Sequence, residues 1–213
     1  MNGDEFELEP GMPLFFLSYA HVNATRGEVN RFFEDLSTDV NELVGRSVGA
    51  DPGFMDSVMS GGEHWSPELL RATGTCQVFV PLISASLVRS SWCGMEWDAF
   101  ARRKRVRRQD RRADNATGIV PVRWSPTELV DLPAVVQKIQ WFSPGRLPDP
   151  KLPALYEQAG LYGLLKLGLD REYRAVVWWL AQHVVGIFRS HWVTAQIPSG
   201  PEELRNVFDE EVT

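Results

Sequence analysis

Leu14-Phe15-Phe16-Leu17-Ser18-Tyr19-Ala20 is a short, nearly continuous apolar run, and it sets the terms for the rest of the chain. Side chains alternate along a strand, so an unbroken apolar run needs a core on both faces. Behind it, Thr25-Arg26-Gly27-Glu28 has the spacing of a capping box, in which Thr25 bonds the Glu28 N–H and Glu28 reaches back. Val29, Phe32, Phe33, Leu36, Val40 and Leu43 then recur every three or four residues, which predicts an amphipathic helix ending near Gly45. A doubly covered strand feeding a helix is the first half of a βαβ unit.

The alternation continues. Phe54-Met55-Asp56 is a brief apolar segment, followed by a glycine-containing loop from Ser57 to His64. Ser66 and Pro67 place a cap and a first-turn proline for a short helix that stops at Gly74. Cys76 to Ile83 predicts another buried strand, expected to end or bend at Pro81, which has no N–H to give a ladder. Ser90 and Ser91 cap a helix running from Trp92 to about Arg107. Gly118 to Trp124 predicts a further strand, Ser125-Pro126-Thr127-Glu128 a second capping box, and Gln137 to Phe142 a last, edge-like strand. Strands alternating with helices mean a mostly parallel sheet in an α/β fold.

Residues 1–12 read as a mobile acidic arm and 13–145 as the α/β domain. Prolines crowd the stretch from Ser143 to Pro153, and a helical extension, 146–197, follows, packed on the domain or on a partner. Within it Asp170 caps a helix with Tyr173, Val176, Val177, Leu180, Val184, Ile187 and Phe188 at helical spacing. Trp178 and Trp179 lie off that stripe, so this helix is expected to be buried on two sides. Residues 198–213 form an acidic tail, expected to fray.

Acidic residues outnumber basic ones 28 to 22, a net charge of −6, which argues against a protein that works mainly by wrapping nucleic acid. Two cysteines, Cys76 and Cys93, make no disulfide framework. The N-terminus lacks the basic start and apolar stretch of a signal peptide, and no run approaches the ~18 apolar residues of a membrane span. A cytoplasmic protein is expected. Four histidines share no ligand spacing, and no acyl-transfer or P-loop motif occurs, so no metal site is expected.

Ligands of parallel α/β sheets bind outside the carboxyl ends of the strands. That edge receives Ser18, Ala20 and His21 from the first strand, Asp56 from the second, and the start of the Trp92 helix behind the third. Glu96 lies four residues after Trp92, so both side chains share a helix face. The pair sets a carboxylate beside an aromatic platform, although a solvated glutamate and a core tryptophan would have the same spacing. The basic run from Arg102 to Arg112 reads as a solvated helix end or as a surface for an acidic protein partner. Without interleaved aromatics it is a poor nucleic-acid surface.

FFLSYAH (15–21), FMD (54–56) with its glycine loop, CQVFVPLIS (76–84) and SSWCGMEW (90–97) resemble, in order, the successive boxes of a TIR (Toll/interleukin-1 receptor) domain. The last box is similar to the signature of TIR domains that cleave NAD+. More narrowly, WCGMEW paired with GLYGLLKL (160–167) is similar to TIR-like proteins encoded beside radical-SAM FxSxx-COOH peptide-maturation systems. The resemblance implies a flavodoxin-type parallel sheet and an NAD+ glycohydrolase in bacterial signalling or defence. It uses NAD+ as substrate without a further cofactor and self-assembles through TIR–TIR contacts. Glu96 is then the catalytic carboxylate, with Ser18, Ala20, His21, Asp56 and Trp92 binding substrate. Some active relatives carry basic residues where this chain has Ala20 and His21. The alternative the resemblance leaves open is a non-catalytic module acting by TIR–TIR or partner association.

Overall fold

The computed structural model describes residue 8 and residues 11–21, 25–45, 51–56, 65–110, 117–128 and 130–209. The acidic arm and the loop from Ser57 to His64 therefore lie almost wholly outside the described residues. β1 (Phe15–Ser18), β2 (Gly53–Met55), β3 (Val78–Ile83) and β5 (Val122–Arg123) form one parallel sheet in the order β2-β1-β3-β5. All four residues of β1 are buried, as the apolar run requires. Phe15 and Leu17 face α1 (Arg26–Val44), α5 (Leu152–Lys166) and α6 (Asp170–Ser190). Phe16 faces α2 (Pro67–Thr75) and α3 (Ser91–Ala101). The strand period of two then turns Ser18 to the α3 side. This is the flavodoxin-type sheet with flanking helices. No helix among the described residues is long and apolar enough to cross a membrane.

Several local expectations fail for identifiable reasons. Pro81 sits within β3, paired with Ser18. The β3–β5 ladder has a gap instead, with a bridge at Phe79–Ile119 and pairing resumed only at Leu82–Val122, so no partner is asked for the missing N–H. Thr25 is the N-cap of α1 but its side chain makes no capping bond, and Glu28 binds Lys166 of α5 at 2.5 Å. The capping box at Ser125–Glu128 starts no helix, and its Glu128 pairs with Arg123 Nη1 at 3.7 Å instead, the same Nη1 that donates to the Thr127 hydroxyl at 2.8 Å. The next helix, α4, covers only Ala134–Gln137. The edge strand expected at 137–142 is absent, and Phe142 makes a single backbone bond to Pro121 O at 3.0 Å. Leu169, not Asp170, is the N-cap of α6, and Trp178 is 40% exposed, so one side of that helix faces solvent.

The largest revision concerns the basic run. α3 stops at Ala101, and β4 (Arg105–Arg107) pairs antiparallel with β6 (His191–Val193). Arg103 and Arg105 are buried, so the run is not a continuous surface for a partner. Arg108 donates to His191 O at 3.1 Å and lies over the Phe188 and Trp192 rings. The described part of the tail packs instead of fraying: Leu204, Val207 and Phe208 are buried against the α2–α3 layer. Asp98 of α3 accepts from the Arg205 backbone at 2.9 Å and pairs with Arg102.

Gly160 breaks α5 with φ 67° and ψ 172°. A Cβ there would stand 2.6 Å from Trp124 O, which already accepts from Tyr162 N at 2.8 Å. Gly160→Ala therefore meets both a glycine-only backbone conformation and a backbone clash. The expected cost is about 2–4 kcal/mol, read as a fall in the urea midpoint. An unchanged midpoint would show that the kink is not needed.

Candidate functional site

The carboxyl edge of the sheet gathers the residues that carry chemistry. Ser18 ends β1 and donates its Oγ–H to Glu96 Oε2 at 2.5 Å. Glu96 reaches it from the second turn of α3, a helix started by Ser90, whose Oγ accepts from Cys93 N at 3.3 Å. Glu96 is only 6% exposed. Burial pushes its carboxyl up to about 8, with the charge of Asp56 adding to the rise, while the Ser18 bond favours the ionised form and opposes it. No salt bridge to Glu96 appears among the described residues. Its ionised form is therefore costly until a cation arrives.

Asp56 follows β2 and is tied to the same edge by Tyr19, whose hydroxyl donates to Asp56 O at 2.9 Å. Burial first, and the nearby Asp56 charge second, raise the Tyr19 phenol to about 12, so it stays protonated and keeps that bond. His21 stacks on the Tyr19 ring at 4.7 Å between centroids. Burial lowers its pKa, Asp56 opposes that shift and Arg26 adds to it, so His21 is neutral at pH 7. It does not supply the standing positive charge that basic residues after the serine–tyrosine pair would. Ala20 lies beside His21 at the strand end, half-buried.

Trp92, half-buried, faces Trp65 with ring centroids 6.0 Å apart. Trp65 is buried, and its indole N–H has no hydrogen-bond partner among the described residues. A buried N–H left unpaired costs ~1–3 kcal/mol, so the pair offers an apolar wall with one donor in need of an acceptor. Sequence reasoning gave no role to Trp65, whose only local signal is its place before the α2 cap. Cys93 is buried and its thiol pKa is raised, first by burial and then by Glu96, which makes it a packing residue and not a nucleophile.

Glu96, Ser18 and Asp56 thus share one corner, Trp92 lies a helical turn from Glu96, and Ala20 and His21 border the corner from the end of β1. The arrangement suits a reaction in which positive charge develops beside the poorly solvated carboxylate of Glu96. A family model described as the TIR domain matches residues 15–150. No curated protein and no solved structure matches the chain.

Proposed function

The chain belongs to the TIR domain family, and from that membership we propose that it cleaves the N-glycosidic bond of NAD+, releasing nicotinamide and ADP-ribose or a cyclic form of it. The observation that carries this reading is the buried carboxylate of Glu96, held at 2.5 Å by Ser18 at the carboxyl edge of the sheet. When the C1′–N bond breaks, its electron pair goes to the ring nitrogen, so nicotinamide leaves neutral and needs no general acid. The ribosyl carbon becomes oxocarbenium-like, and the Glu96 carboxylate stabilises that charge in a site that excludes water. Water adds to the carbon and releases one proton, giving ADP-ribose. Attack by an adenine nitrogen in place of water gives the cyclic form.

Ser18 orients the carboxylate and favours its ionised form. Trp92, backed by Trp65, forms the wall for the nicotinamide ring, and Asp56, Ala20 and His21 border the ribose and phosphates. TIR domains associate with one another or with partners, and self-assembly through such contacts belongs to this proposal. The narrower likeness to TIR-like proteins of peptide-maturation systems rests on WCGMEW and GLYGLLKL alone.

The pH dependence tests this role. The free enzyme must ionise Glu96, so kcat/KM for NAD+ is expected to rise with pH through about 8 and level off above it. A bound pyridinium cation favours the carboxylate, so the limb in kcat lies at lower pH. Ser18→Ala removes the bond that favours ionisation and is expected to move the kcat/KM limb upward. A flat profile across this range contradicts the assignment.

A module acting only by association is the second reading. The exposed Leu147 and Trp178 favour it, being apolar surface of the kind that partners cover. It predicts that Glu96→Gln leaves function intact and that changes at those two residues abolish it.

A further inference from the structure

A cavity of about 150 Å³ opens at the same edge of the sheet, on the face opposite Glu96. Tyr19 and Ala20 from the end of β1, Leu82 and Ser84 from the end of β3, and Trp124 beyond β5 line it. Thr25 and Val29 at the start of α1 and Tyr162 of α5 also line it, and Tyr162 lies outside the matched residues 15–150. We propose that this cavity is the subsite for the adenine base of the dinucleotide, completed by Tyr162 from the chain's own C-terminal extension; the assignment rests on the NAD+ reading.

Position supports it first. The chain runs from β1 to β2 on one side and then to β3 on the other, so the crevice between the ends of β1 and β3 is the switch point of the sheet, where ligands of such folds bind. Ser18 touches Glu96 while its neighbour Tyr19 lines the cavity, and adjacent Cα atoms are ~3.8 Å apart. A dinucleotide whose nicotinamide ribose meets Glu96 crosses the strand end and brings its second base to this opening.

Size and lining agree. The volume lies below the ~300–1,000 Å³ of pockets that enclose whole ligands, which suits one ring system and excludes a dinucleotide. Trp124 and Tyr162 present rings inclined by 31° with centroids 5.7 Å apart, a platform for a flat base, and the hydroxyls of Ser84 and Ser125 edge it. The extension is built to hold this wall. The Gly160 kink turns the chain toward the sheet, Tyr162 N binds Trp124 O, and Lys166 lies 5.1 Å from the Tyr162 ring while pairing with Glu28 of α1.

Calorimetric titration of the full chain with AMP and, separately, with nicotinamide mononucleotide tests the subsite. Tyr162→Ala is expected to weaken AMP about 10-fold or more, the loss typical of one stacked base, and to leave the mononucleotide unchanged. Tyr162→Phe, which keeps the ring, is expected to bind both as wild type does. AMP binding that is absent from wild type, equal in Tyr162→Ala, or lost together with mononucleotide binding overturns the subsite. Nicotinamide release separates this from the function itself. If wild type turns over NAD+ with the same KM as Tyr162→Ala, the subsite falls and the hydrolase stands. If wild type releases no nicotinamide yet Tyr162→Ala loses AMP alone, the adenine site stands and the hydrolase falls.

Discussion

Glu96→Gln is expected to abolish nicotinamide release while the protein stays folded. Loss of the charge that meets the ribosyl cation should cost at least ~10²-fold in kcat, the scale on which single electrostatic contributors to a transition state are felt. The amide matches the carboxylate in shape, and its oxygen still accepts from Ser18 Oγ, so the packing of α3 on β1 is retained. Stability gives an independent reading of the same substitution. The carboxyl is raised in the folded protein from an ordinary 4.5 to about 8. The unfolded chain therefore ionises first, and stability is lost as pH climbs from 4.5 toward 8, then stays level. At about 1.4 kcal/mol per pH unit the full penalty is a few kcal/mol. The glutamine variant escapes it and should melt on the order of 5–15 °C above wild type at alkaline pH, with no advantage in acid. Equal turnover in the two proteins would remove Glu96 from the chemistry, and equal melting at every pH would deny its burial.

Arg103→Met is expected to detach the C-terminal strand from the α/β domain. The Arg103 guanidinium lies under β6 and donates to Thr194 O at 3.0 Å, Thr73 O at 2.9 Å and Val193 O at 3.4 Å, joining the end of α2 to β6. Gln77 makes the parallel link through Val193, donating at 3.2 Å and accepting at 2.9 Å. Methionine fills the space but donates nothing, leaving buried carbonyls without their strongest partner. The cost should be about 2–5 kcal/mol, or a fall in Tm on the order of 5–15 °C. Amide exchange at Val193 and Thr194 should accelerate before the rest of the sheet opens. A Tm within a degree or two of wild type would return the basic run to the role of a solvated charge cluster.

The elements with a strong period were legible from residue types alone. β1, α1 and α6 carry either an unbroken apolar run or a stripe at helical spacing, α2 a serine cap followed by a first-turn proline, and each lies where those signals put it. Glu96 and Trp92 were legible as a pair because helical spacing fixes their shared face. The contact between Ser18 and Glu96 was not, since it depends on how α3 crosses β1, a packing fact with no local signature. The basic run misled for a related reason. Arginines so close in sequence look like a solvated helix end, and only β6, contributed by residues far along the chain, makes Arg103 and Arg105 interior groups. Both capping boxes lose their glutamate to a basic partner, as Lys166 takes Glu28 and Arg123 takes Glu128. The tail looked polar, yet Leu204, Val207 and Phe208 are enough to pin it to α3 once Gly94 opens a place for Asn206.

Chromatographic product analysis of the concentrated 213-residue chain incubated with NAD+ tests the cleavage most directly. Nicotinamide should accumulate in step with the consumption of NAD+ and in equal amount with ADP-ribose and its cyclic form together, and more rapidly at higher protein concentration. NAD+ recovered intact at every concentration, with the protein folded, would contradict it.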